Sequence, residues 1–177
     1  MNPSAETHRR SSHRSGLLAL ACLLAAFVAF VGYSSKQLPD RVATHFDLHG
    51  KANGWMTRTR HTQFTIAVGV GTPLIILNVF ALVAKMEGWG LNIPNKNHWL
   101  APERKAATFD FLQRQSFWLA AMVIAFHAGL FECVVFANAR TPAVLSSVHI
   151  WGLAGVFLLL VATWIIVLLR RFRLPAA

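Results

Sequence analysis

Apolar positions fall in four long blocks along this chain. The blocks run from Gly16 to Tyr33, Phe64 to Ala84, Phe117 to Ala137 and Val148 to Leu169. The shortest has 18 residues, which makes about 27 Å of helix at 1.5 Å per residue, enough to cross a bilayer core. The pattern predicts an all-α membrane protein with four transmembrane helices, spans about 16–33, 64–84, 117–137 and 148–169. Residues 1–15 read as a basic, disordered arm carrying Arg9, Arg10 and Arg14. A basic arm before an apolar run also describes a signal peptide. With three further spans following, an uncleaved first helix is expected.

The polar stretches between the spans differ in character. Residues 38–61 open with Leu38-Pro39, and Pro39 ends any helix arriving from the first span. From Arg41 to His49 the side chains alternate: Val42, Thr44, Phe46 and Leu48 form one set, and Ala43, His45, Asp47 and His49 fall in the other. Period two marks a half-buried strand. Gly50 and Asn53-Gly54 are turn signals, and Trp55 suits the headgroup level. This loop therefore reads as a short strand and turn lying on a membrane surface. Residues 85–116 break early at Gly88, Gly90 and Pro94, and restart at Pro102-Glu103, a helix-start signature. That start predicts a surface helix from Pro102 to Ser116 running into the third span. In the second span, Asn78 is expected to hydrogen-bond across to another helix.

Composition agrees with the membrane reading. The chain of 177 residues is 55 % hydrophobic and 14 % charged, against about 45–50 % and 25 % in soluble domains. The net charge is +10, but the basic residues sit at the edges of apolar runs rather than on one patch. That placement suits anionic lipid headgroups and excludes nucleic acid as the partner. Cys22 and Cys133 lie inside apolar runs and make no disulfide framework. Eleven Lys and Arg fall in the N-terminal arm, the second connection with its flanks and the tail, against six in the other two connections. The positive-inside rule then puts both termini in the cytoplasm and the 38–61 loop outside.

That topology selects which ionisable groups can meet. Asp40, His45, Asp47 and His49 lie outside, with Glu132 in the outer half of the third span and His149 at the outer start of the fourth. A polar site at the outer face is expected to gather His45, Asp47, His49, Glu132 and His149. A carboxylate at the depth of Glu132 costs a few kcal/mol unless paired or protonated. Its partner is His149 or Arg140, or it reaches outer water in interfacial or protonated form. His127 lies five residues from Glu132, about 140° round the helix, and is expected to donate to a backbone carbonyl or another helix. His45, Asp47 and His49 are zinc-ligand types. On a straight strand the two histidines stand about 13 Å apart, too far for one ion, so a solvated strand face is the commoner reading and no cofactor is expected. No serine or cysteine comes with a nucleophile motif.

LPDRVATHFDLHGKANGW, followed by NIPNKNHWLAPER in the next connection, resembles the domain of unknown function 1648 family, the module that opens SdpI-type immunity proteins of bacteria. Leu38, Pro39, His45, Phe46, Gly50, Gly54 and Trp55 carry the first motif. Asn95, Lys96, Trp99, Pro102 and Glu103 carry the second, as structural or binding residues. The resemblance implies a bacterial, multi-pass inner-membrane protein, whose SdpI-type relatives protect cells from a membrane-active peptide toxin and signal its presence. The partners expected are the lipid bilayer and, at the outer loop, a peptide or membrane protein. The functional expectation is a non-enzymatic binding, sensing or immunity-like module, with Asp40, His45, Phe46, Asp47, His49, Trp55, Glu132 and His149 as candidate ligand-binding residues. The alternatives are a metal-dependent membrane enzyme using a His/Asp/Glu site at the outer face, and an ion or proton pathway through His127 and Glu132.

Overall fold

The computed structural model describes residues 3–174, with side chains from His13 onward. Four long helices dominate: α1 (Pro3–Ser34), α2 (Arg58–Lys85), α4 (Pro102–Asn138) and α5 (Ser147–Arg171). Each includes a segment long and apolar enough to cross a membrane. A one-turn helix, α3 (Lys96–Trp99), lies between α2 and α4. Between α1 and α2 stands an antiparallel hairpin, β1 (Arg41–Phe46) and β2 (Ala52–Thr57). The protein is thus a four-helix membrane protein capped by a small sheet.

Two expectations about helix ends need correction. The arm expected to be disordered over 1–15 is helical from Pro3, and α1 runs on without a break; residues 1 and 2 lie outside the described part. Once the apolar run fixes a helix, each further residue adds a hydrogen bond without a new nucleus, and Ala5, Glu6, Arg9 and Arg10 are good helix formers. The surface helix expected at Pro102–Ser116 is the first part of α4. Pro102 does open it, with Glu103 in its first turn. No break separates it from the span, because one buried stripe of Thr108, Leu112, Ser116, Ala120 and Ile124 runs along both parts.

α4 is the central element, packed on α1, α2 and α5. Its Ala120, Ile124, Phe131 and Val135 join Leu20, Phe27 and Val31 of α1 in the main core, which continues into the hairpin through Leu38 and Val42. α2 approaches α1 at Gly69, where a β-carbon would run into the ring of Phe27. Asn78 makes no interhelical bond: its Nδ2 donates to Leu74 O within α2 at 2.8 Å. A side chain can satisfy itself on the preceding turn when no polar partner crosses at its height.

The polar ends of the bundle are tied in different ways. At one end, the hairpin meets the α4–α5 connection. Leu145 N donates to Gly50 O at 2.9 Å, and Lys51 bridges Val144 as an isolated β-pair. At the other end, the connection after α2 meets the end of α5. Asn95 Nδ2 and Trp99 Nε1 both donate to Phe172 O, at 2.9 and 3.0 Å. The Phe172 ring is buried against Trp99 and Phe111, and the Arg171 guanidinium lies 4.2 Å from the Trp99 ring centre. Thr108 Oγ1 donates to Trp99 O at 2.9 Å. Asn95 and Trp99 of the second motif therefore act as a clamp on the last helix.

Candidate functional site

The hairpin is more elaborate than one strand and a turn. Asn53-Gly54, expected as a turn, lies inside β2. The turn falls earlier, at Asp47–Gly50, where Asp47 Oδ1 accepts from the amides of His49 and Lys51, each at 2.9 Å. Gly50 follows with φ of 77°, a conformation glycine adopts without steric cost. An Asp that caps its own loop can outcompete a downstream Asn-Gly for the reversal.

The expected alternation also breaks. Ala43 pairs with Trp55 and His45 with Gly54, so Thr44 is an extra residue; Phe46 then pairs with Ala52, so Asn53 is extra on the other strand. Such irregularities re-aim side chains. Val42 and Ala43 are consecutive and both buried. Ala43 can be buried because Asn138, at the end of α4, serves its backbone as a strand would. Asn138 Oδ1 accepts from Ala43 N at 2.8 Å, and Asn138 Nδ2 donates to Ala43 O at 2.9 Å. Nothing in the sequence pattern marks Asn138 as more than a helix-end residue.

Beneath the hairpin lies a cavity of about 350 Å³ between β1, α2, α4 and the start of α5. Its walls are mostly apolar, including Phe64, Val68, Leu130, Val134 and Ile150. Three imidazoles line it, His45 from β1, His61 from α2 and His127 from α4. His61 is 7 % exposed, and its ring stacks on Phe131 with centres 5.7 Å apart. Its Nε2 is buried without a hydrogen-bond partner, as is Thr44 Oγ1. His127 Nδ1 donates to Val123 O at 2.8 Å, the backbone bond expected for it. His45 lies over Gly54, where a β-carbon would come within 2.9 Å of His45 Cβ.

This is not the grouping expected from the sequence. Of the five residues expected to converge, only His45 lines the cavity. Asp47 is consumed by the turn. His49 is exposed on the turn itself. His149 borders a separate, small cleft with Arg140 and Cys133. Glu132 is half-buried and pairs with neither His149 nor Arg140 among the described residues. The cause is rotational: α4 turns His127, Leu130, Phe131 and Val134 toward the cavity, and Glu132 lies off that face. Among the described residues, no three His, Cys, Asp or Glu side chains come together as a metal site, so His45, Asp47 and His49 do not form a ligand set. Their separation follows from the turn after Phe46, which carries Asp47 and His49 away from His45.

The remaining candidates divide the same way. Phe46 lines the cavity beside His45. Asp40 is exposed and ion-paired with Arg58, and its carbonyl accepts from Arg58 N at 3.0 Å. Trp55 is half exposed under the Arg41 guanidinium, 5.0 Å from the ring centre. Lys96, Pro102 and Glu103 belong to the opposite end of the bundle with the Asn95–Trp99 clamp. His61 went unrecognised because it lies at the polar end of an apolar run, where a histidine usually marks a boundary. The available signal was its spacing: His61, Thr65 and Val68 recur at the three- and four-residue intervals of one helix face, and all three line the cavity.

Residues 20–68 match the family described as Domain of unknown function (DUF1648). The matched segment runs from α1 through the hairpin into the first part of α2, and so includes His45, His61 and the motif glycines. No curated protein and no solved structure matches the chain.

Proposed function

We propose that this membrane protein, whose residues 20–68 carry the DUF1648 module, is a binding or sensing module that takes its ligand in the cavity under the hairpin. The observation that carries this reading is the meeting of three imidazoles from three elements in one largely apolar cavity. Cavities of about 300–1,000 Å³ with few polar groups on apolar walls are the usual form of a small-molecule site. The hairpin roofs this one, so its turn at Asp47–Gly50 is where an approaching peptide or membrane-borne molecule would first be felt.

The charge distribution supports a bacterial inner-membrane setting with both termini in the cytoplasm and the hairpin outside, eleven basic residues against six. In that setting an immunity-like role, in which a membrane-active peptide is recognised at the outer face, fits the position of the site. Single cysteines at Leu48 and Asn97, in a chain with Cys22 and Cys133 replaced, test the arrangement. Leu48 is 96 % exposed on the hairpin turn, and Asn97 is exposed at the other end. An impermeant maleimide should label the Leu48 position in intact cells and the Asn97 position only after permeabilisation. Labelling of both from one compartment would overturn the topology and the outer-face reading with it.

A further inference from the structure

The polar atoms around the cavity are not balanced. His61 Nε2 and Thr44 Oγ1 are both buried, and neither has a hydrogen-bond partner. They belong to different elements, α2 and β1, yet both residues line the same cavity. Neither is free to swing to another partner. The His61 ring is fixed by its stack on Phe131, with planes 15° apart. Thr44 is the extra residue of the strand irregularity, and a β-branched side chain has few rotamers. Leaving a buried polar atom unpaired is unfavourable, and two such atoms beside one cavity call for a common partner.

The lining also limits what that partner is. No Asp, Glu, Lys or Arg lines the cavity, so a charged headgroup would enter without a counterion, which is costly. An imidazole nitrogen donates or accepts according to tautomer, and a threonine hydroxyl does both. A ligand hydroxyl also donates and accepts, so it can serve both atoms whichever tautomer is present; a carbonyl can only accept. Phe46, Phe64 and Phe131 supply aromatic walls, which favour a flat ring. We infer that the cavity binds a small neutral phenol, its hydroxyl hydrogen-bonded to His61 and Thr44 and its ring held among the phenylalanines. This inference rests on the reading of the cavity as a ligand site and names the chemistry of its ligand.

The test uses the full chain in lipid nanodiscs with isotope-labelled histidine. 4-Ethylphenol and ethylbenzene, which differ by one hydroxyl, are titrated while the His127 ring signals are followed by NMR. 4-Ethylphenol should give a saturable shift with an affinity at least about fivefold above that of ethylbenzene, the value of one neutral hydrogen bond. H61F keeps the ring stack and removes the nitrogens, and T44V keeps the shape and removes the hydroxyl. Each should weaken 4-ethylphenol by about 5- to 10-fold and leave ethylbenzene unchanged. Equal affinities for the two compounds, or binding of 4-ethylphenol indifferent to both substitutions, would mean that water satisfies these atoms. Either result overturns the hydroxyl selection while leaving the cavity as a ligand site. Absence of any saturable shift with either compound overturns both.

Discussion

The side chain of His45 rests directly against the bare α-carbon of Gly54 across the hairpin, close enough that a β-carbon on residue 54 would lie 2.9 Å from His45 Cβ and 3.1 Å from Cδ2. Two positions of one sequence motif are thereby a single steric unit. G54A should lower stability by about 1–3 kcal/mol, the usual cost of forcing atoms into an occupied space. The cost should shrink in an H45G background, where the opposing side chain is gone. A double-mutant cycle on apparent melting temperature in detergent measures this, and additive effects would show that the two residues do not contend for one volume.

Asn138 carries a second prediction. It occupies both backbone hydrogen-bonding groups of Ala43, a residue 1 % exposed. N138A leaves that amide and carbonyl unserved in a dry setting and should cost about 1–3 kcal/mol. Hydrogen exchange of the Ala43 amide should accelerate more than that of the helical amides of α4, and equal acceleration throughout would point to general destabilisation instead.

Far less of the site than of the fold was legible in the sequence. The spans could be read because lipid demands about 20 apolar residues in a row, a constraint written in composition. The helix start at Pro102 could be read because a capping signature is local. The grouping under the hairpin could not, since it depends on the rotation of α4, which separates Glu132 from His127, and on two strand irregularities. Period-two alternation assumes a regular strand. Thr44 and Asn53 break that regularity, and their departure comes from the docking of Ala43 on Asn138, 95 residues away. The turn was misplaced because Asn53-Gly54 and Asp47–Gly50 are both sound reversal signals. What decides between them is the contact of Gly50 with Leu145, which no local pattern records.

The clamp at the opposite end predicts a graded loss. W99F removes one of two donors to Phe172 O, and Asn95 remains, so the cost should be about 0.5–1.5 kcal/mol. F172A empties a fully buried ring position, 1 % exposed, and should cost about 3–5 kcal/mol. Proteolysis after residue 170 in detergent should rise in the order wild type, W99F, F172A.

The Glu87–Lys105 pair predicts a pH effect. The hydrogen bond from Lys105 Nζ, 2.8 Å long, and its charge hold the Glu87 carboxyl below its ordinary pKa. A carboxyl with a depressed folded pKa contributes its stability above the ordinary carboxylate range. The contribution fades as pH falls through the lowered folded value. In K105M, an NMR titration of the Glu87 side chain should show its pKa moving up toward the ordinary value. Because the pair is exposed, screening by salt should narrow the difference between the two proteins.

The fourth long helix has no fully buried residue along its length. Near its middle, Phe157 stacks on Phe126 with ring centres 4.3 Å apart, and Trp164 Nε1 donates to Gln115 O at 3.1 Å. The hydrogen bonds at Gly50–Leu145 and at Phe172 fasten its two extremities to different loops of the chain. Its height in the bilayer is set by these moorings more than by the greasy contacts between them. A shift of the hairpin large enough to strain the upper mooring would be felt as tension at the lower one, some 25 residues along a stiff rod.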